Sequence, residues 1–168
     1  MDAGLLLARV ILGMLMVAHG SQKLFGWFGG YGLAGTGAFF DSLGFRPGRA
    51  FAALAGGAEL AGGLLLALGL LGPVGPALVV SVMIVAAGSV HWQHGLFATT
   101  NGIEITLLYA TGAAALALTG PGVHSADAAL GLTSFWTPAL ALAALGAGIA
   151  GGLVSLALRR TAPREAAA

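Results

Sequence analysis

The stretch His19-Gly-Ser-Gln-Lys-Leu-Phe-Gly26 closes the first long apolar run of the chain, which extends from Leu5 to Ala18. On a helix, residues four positions apart share a face, so the spacing places His19 and Lys23 side by side. Arg9 lies fourteen residues before Lys23 and continues the same stripe. The stretch therefore predicts a polar corner at one end of a helix that is otherwise buried in a membrane.

The composition identifies lipid as the solvent of this chain. Of the 168 residues, 58% are hydrophobic and 8% are charged, whereas a soluble domain carries about 25% charged residues. The net charge of +1 gives no reason to expect nucleic-acid binding. The chain has no cysteine, which excludes disulfides, a thiolate nucleophile and cysteine-bound metal. Any sulfur chemistry would therefore need sulfur from a partner or a cofactor.

Five apolar segments are long enough to cross a bilayer, which takes about 20 residues. The predicted fold is all-α, a polytopic transmembrane helix bundle. We expect the first segment to remain as an uncleaved helix, because Met1-Asp2 lacks the positive charge of a signal peptide. The predicted spans are residues 4–25, 50–71, 76–92, 102–119 and 137–158.

The long first connection has features of a membrane surface. Residues 36–43 are predicted to form a short interfacial helix, with Phe39, Phe40 and Leu43 facing lipid and Asp41 facing water. Gly44 is a candidate C-terminal cap of that helix. A further short helix is predicted after Ser125, in the fourth connection.

Positive residues predict the orientation, because cytoplasmic loops carry an excess of lysine and arginine. With five spans, six of the seven positive residues lie at one side of the membrane, and only Arg9 is nearer the other side. We therefore expect a multi-pass protein of a bacterial plasma membrane, with the N-terminus outside and the C-terminus in the cytoplasm. The six are Lys23, Arg46, Arg49, Arg159, Arg160 and Arg164.

Glu59 is the most informative buried candidate. Gly56 and Gly63 share its helix face, so a neighbouring helix can approach closely and cover the carboxylate. One interpretation is a proton carrier or a ligand-binding acid. The alternative is a structural ion pair with Lys23 or Arg9 that holds two helices together. Arg9 also has the option of extending to the outer surface.

Further polar residues are candidates for ligand binding. His19, at a depth of about 9 Å, and Glu104 and His91, near the same membrane surface, complete the set of ligand-binding or proton-carrying candidates with Lys23 and Glu59. His91 and His94 have a spacing that suits a metal. Such a pair is easily found by chance near a membrane surface, so interfacial hydrogen bonding is the preferred interpretation and no metal site is predicted. Glu104 could instead cap its own helix. No catalytic residue can be assigned.

The last apolar segment contains small residues and no ionisable group before Arg159. Gly148 and Gly152 form a GxxxG pair, which is typical of close helix packing in membranes. We expect this helix to pack on the core or on a second copy. Its deletion is expected to leave a core that folds and keeps any ligand.

As an ordered set, these residues resemble the DoxX family of small bacterial membrane proteins. The matching pattern is Arg9, His19-Gly20-x-x-Lys23-Leu-Phe-Gly26, then Glu59 with Gly62-Gly63. It continues with Asn101-Gly102-x-Glu104 and ends with Gly120-Pro-Gly-x-x-Ser125-x-Asp127.

The resemblance implies a four-helix membrane core at residues 4–130. The helix at 137–158 would then be an addition, followed by a basic cytoplasmic tail at 159–168. Members of the family are associated with thiol and sulfur redox chemistry and with oxidative-stress defence. A related family supplies the membrane subunit of a thiosulfate:quinone oxidoreductase.

What the resemblance implies for this chain is a membrane subunit of a redox system, with a quinone as a candidate ligand. Protein redox partners or a homo-oligomer are then expected. The alternative is a non-catalytic anchor or assembly partner, in which the buried polar residues only hold the helices together.

Overall fold

The computed structural model describes residues 2–160, and the predicted all-α class is confirmed. Within this range there are seven α-helices and no strand. The helices are α1 (Asp2–Phe25), α2 (Gly32–Ser42), α3 (Gly48–Leu68), α4 (Val74–Ala86), α5 (Glu104–Thr119), α6 (Ala126–Ala129) and α7 (Pro138–Ala157). The last eight residues, which hold most of the predicted basic tail, lie outside the described range.

Between Asp2 and Arg160, four helical segments are long and apolar enough to cross a membrane. They are α1, α3, α7 and the segment Val74–His94, in which α4 continues through a π-helical turn, Ala87–His91, and a 3₁₀ turn, Trp92–His94. The fourth predicted span is the shorter helix α5, with 16 residues. It nevertheless runs from one end of the bundle to the other, because it begins after the loop that follows His94 and ends beside the Arg9 end of α1.

Glycines bring α1 and α3 into direct backbone contact. A Cβ atom at Gly13 would lie 2.5 Å from the carbonyl oxygen of Gly63, and one at Gly20 would lie 2.7 Å from that of Gly56. Only glycine permits this approach, because real Cβ atoms do not come so close to backbone. The predicted role of Gly56 and Gly63 in admitting a neighbouring helix is therefore confirmed.

The helix α7 packs on α4 through the predicted glycine pair. Gly148 and Gly152 are buried, and a Cβ atom at Gly152 would lie 2.8 Å from the carbonyl oxygen of Ser81. The end of α7 also contacts the loop after α2. The backbone N–H of Arg160 donates to Gly44 O at 2.8 Å, and Arg159 Nε donates to Leu43 O. The C-terminal end of α7 and the first connection therefore lie at the same end of the bundle.

The position of Phe40 on α2 differs from the prediction. Phe40 was expected to face lipid, but it is buried and packs against Phe45, with ring centroids 5.6 Å apart. The reason is that the chain reverses after α2, so that Phe45 and Ala52 cover the inner face of the helix. Phe39 remains half-exposed, as an interfacial residue would.

The reversal after α2 depends on two residues near Phe40. Gly44 has φ of +92° directly after the C-cap residue Leu43, and its N–H donates to Asp41 O at 3.0 Å, so it occupies the position at which glycine commonly ends a helix. The exposed Asp41 carboxylate accepts the N–H of Gly48 at 2.8 Å, at the start of α3. These two contacts fix the angle between α2 and α3.

Candidate ligand site at Lys23 and Glu59

The central polar contact of the bundle is an ion pair between α1 and α3. Lys23 Nζ lies 2.7 Å from Oε1 and 2.6 Å from Oε2 of Glu59. The Glu59 side chain is 3% exposed and the Lys23 side chain is 26% exposed. One partner is therefore enclosed between helices, while the other reaches the surface of the protein.

The glycine contacts between α1 and α3 explain why these two side chains meet. Gly56 lies one helical turn before Glu59, and a Cβ atom there would lie 3.1 Å from Lys23 Cβ. With the helices this close, the long lysine side chain reaches the carboxylate without leaving the interface. A carboxylate buried in an apolar environment is costly unless it is paired, and Lys23 supplies the compensating charge.

Lys23 also lines a cavity beside the pair. The cavity has a volume of about 520 Å³ and lies between the end of α1, the following turn and α2, within the usual size range of small-molecule sites. Its walls combine aromatic rings with a few polar groups. They are Gln22, Lys23, Gly29, Gly30, Tyr31, Gly35, Thr36, Phe39 and Phe40.

The charge balance of the cavity limits what it can bind. Among the described residues that line it, Lys23 is the only charged one, and its charge is compensated by Glu59. An ammonium group has three N–H donors, so one remains after two are directed at the carboxylate. The arrangement therefore suits a neutral hydrogen-bond acceptor better than a free anion.

The other ligand candidates from the sequence do not line this cavity. His19 is half-buried on α1, and its ring meets the edge of Tyr109 with centroids 6.0 Å apart. His91 Nδ1 lies 2.8 Å from Asn101 O, and Glu104 Oε2 accepts the N–H of Ala98 at 2.7 Å. His91 and Glu104 thus hold together the loop between α4 and α5, and Glu104 does so across the loop instead of capping its own helix.

His91 and His94 are the two residues whose spacing would suit a metal ion. His94 Nδ1 lies 3.0 Å from Val90 O, which is a local backbone contact. Among residues 2–160, no group of three or more histidine and acidic side chains is arranged to hold a metal ion.

Arg9 is separate from the ion pair. It is 3% exposed, so it does not extend to the surface, and its guanidinium donates to the carbonyl oxygens of Ala67, Pro121 and His124. Glu59 is paired with Lys23 instead, so the alternative of an Arg9–Glu59 pair is wrong. Arg9 joins the end of α3 to the loop after α5.

Asp127 is a structural residue whose role the sequence did not reveal. It is fully buried, and its carboxylate accepts the N–H groups of Leu71 at 3.0 Å and Gly72 at 2.7 Å. It therefore fixes the turn between α3 and α4 from the short helix α6. Its place after Gly120-Pro-Gly was part of the family pattern, but that pattern carried no signal of a partner.

These features define a class: an integral membrane protein built as a helix bundle, with one buried ion pair beside an interfacial cavity. Comparison with known families makes this more specific. The DoxX family model matches residues 4–92, which is more than half of the chain. The chain belongs to the DoxX family.

The family match ends at Trp92, so it includes Arg9, Lys23 and Glu59 but not the later elements of the pattern. No curated protein matches the chain. No solved structure matches it either.

Proposed function

We propose that this DoxX protein is a membrane subunit of a quinone-linked redox system of the bacterial plasma membrane, connected with thiol or sulfur chemistry and oxidative-stress defence. The observation that carries the proposal is that Lys23 both pairs with Glu59 and lines a cavity of about 520 Å³. Membership of the family supports the redox connection by analogy only.

The cavity fits a quinone headgroup in three respects. Phe39, Phe40 and Tyr31 supply aromatic walls for a flat ring, Lys23 supplies a donor for a carbonyl oxygen, and the lining carries no uncompensated charge. A bound quinone would supply two-electron redox chemistry linked to protons. The chain has no cysteine to act as its own thiol donor, so electrons would come from a partner protein.

The residues of the pair have distinct roles in this proposal. Lys23 donates a hydrogen bond to the ligand from the side that faces the cavity. Glu59 holds the ammonium in place and compensates its charge. His19, His91 and Glu104 remain outside the lining and have no direct role at this site.

A second candidate function is favoured by the geometry of Glu59. Both of its oxygens are occupied by Lys23 and its side chain is 3% exposed, as expected of a purely structural pair. In that case the protein is a non-catalytic anchor or assembly partner, and the pair only holds α1 against α3.

Purification from native membranes tests the two candidates against each other. The protein is solubilised in a mild detergent, and its lipid extract and its protein partners are analysed by mass spectrometry. Recovery of quinone in near-equal amount with the protein supports the redox subunit, provided that less quinone is recovered when the variant Lys23→Met is purified in the same way. Protein partners recovered without quinone support the anchor. The matched control is Arg46→Met, which removes an exposed positive charge that is not part of the lining.

A further inference from the structure

A second cavity shares one lining residue with the Lys23 cavity. It has a volume of about 260 Å³ and lies over α4, between α3 and α7. The shared residue is Phe40. The other walls of the second cavity are mainly apolar, with Phe51, Ala55 and Val85 among them.

The second cavity opens toward the bilayer. Leu54, at its margin, is 69% exposed on the outer surface of α3. In a membrane protein, an exposed leucine within a spanning helix faces lipid. The cavity is therefore a groove on the lipid-facing side, and we call it the α3–α7 groove.

We infer that the ligand of the Lys23 cavity is an amphiphile, whose neutral, carbonyl-bearing headgroup lies at Lys23 and whose apolar tail runs past Phe40 into the α3–α7 groove. This inference rests on the proposed function and specifies its ligand as a quinone that carries a long apolar tail. A water-soluble quinone would use only the first cavity.

The structure supports this division of the ligand in two ways. The first cavity contains the polar groups Gln22, Lys23 and Thr36, whereas the groove has only the Ser81 and Ser155 hydroxyls. Ser155 already donates to Gly151 O at 2.8 Å. The headgroup therefore has a polar site and the tail an apolar one, and Phe40 lines both.

The test uses two probes, 2,3-dimethoxy-5-methyl-1,4-benzoquinone, which has no tail, and its 6-decyl derivative. Binding of each to the purified protein is measured in one detergent by quenching of tryptophan fluorescence. The critical variant is Gly151→Leu. Gly151 lines the groove, and a Cβ atom there would lie 3.4 Å from Ser81 Oγ, an ordinary contact, so a larger side chain can begin at this position without a backbone clash.

The matched control is Gly146→Leu, which adds the same side chain to the same helix where nothing lies within 4 Å. All proteins are compared in one detergent. Partition of the decyl compound into micelles then affects the apparent affinity of every variant equally and does not change the ratio between variants. Obstruction of the tail should weaken binding of the decyl compound by about fivefold or more in Gly151→Leu. Binding of the compound without a tail should not change, and Gly146→Leu should alter neither.

The possible failures are distinguishable. If both probes bind and Gly151→Leu affects neither, or affects both equally, the tail does not use the groove and the inference is overturned, while the proposed function stands. If neither probe binds the wild-type protein, the proposed function fails and the inference fails with it.

Discussion

Lys23 Nζ lies within 2.7 Å of both carboxylate oxygens of Glu59, so a single ammonium group compensates the most enclosed acid in the contact between α1 and α3. Gly20 and Gly56 allow the two helices to meet at this depth. The pair therefore has a structural role whatever ligand lies beside it, and its contribution to stability can be measured separately from ligand binding.

Glu59→Gln should destabilise the bundle, because it leaves the Lys23 ammonium beside a neutral amide. Breaking a buried pair in soluble proteins costs roughly 3 to 5 kcal/mol, and the partial exposure of Lys23 should place the loss toward the lower end. The double variant Lys23→Met/Glu59→Gln should recover most of the thermal stability in detergent. Failure of the double variant to recover would show that the pair is not the source of the loss.

Arg9 should act independently of that pair. Arg9→Met removes donors from three backbone carbonyls at the opposite end of α1 and should lower the unfolding temperature. Because Arg9 and Glu59 share no partner, the effects of Arg9→Met and Glu59→Gln should add within about 0.5 kcal/mol. A double variant that is markedly more stable than this sum would reveal a coupling that the structure does not contain.

The contact between α7 and the loop after α2 should matter for the Lys23 cavity. Gly44 has φ of +92°, and a Cβ atom there would lie 2.5 Å from Arg160 O. Gly44→Ala should therefore strain the turn and separate α7 from α2, whose residues form one wall of the cavity. We expect lower thermal stability and weaker ligand binding. Gly57→Ala is the matched control, since nothing lies within 4 Å of Gly57 and it is not in the left-handed region.

This contact also bears on deletion of the last helix. The sequence suggested that the core would keep its ligand without residues 137–158. The structure shows Arg159 and Arg160 bonded to the loop that follows α2, so a truncated protein that inserts and folds should bind the ligand more weakly. Unchanged binding in such a truncated protein would favour the original expectation.

The orientation remains a prediction from the positive residues. With the C-terminus in the cytoplasm, a reporter that is active only after export should stay silent when it is fused after Ala168. The same reporter inserted after Gly122, in the loop on the other side of the bundle, should be active and serves as the control. Activity of the C-terminal fusion would mean that the bundle is inverted.

Much of the fold was predictable because a membrane imposes simple rules on length and polarity. Helix positions and the glycine contacts at Gly56 and Gly148 followed from apolar runs and small-residue spacing. Phe40 was misplaced because a helical pattern shows which residues share a face, but not that Phe45 would return to cover that face.

The partner of Glu59 could not be chosen from the sequence. Arg9 and Lys23 lie about 21 Å apart along α1, and the depth of Glu59 in its predicted span is about halfway between them. The partners of Asp127 are backbone N–H groups. Every residue except proline has such a group, so no sequence pattern could identify them.

The most direct test of the account is the affinity of the tail-less benzoquinone for the folded double variant Lys23→Met/Glu59→Gln. This variant has no unpaired buried charge, so it isolates the ligand role of Lys23 from its role in stability. The account predicts a loss of about tenfold or more relative to wild type, as expected for removal of a charged hydrogen-bond donor, while Arg46→Met binds normally. Wild-type affinity in the double variant would contradict the account and leave Lys23 and Glu59 as a structural pair alone.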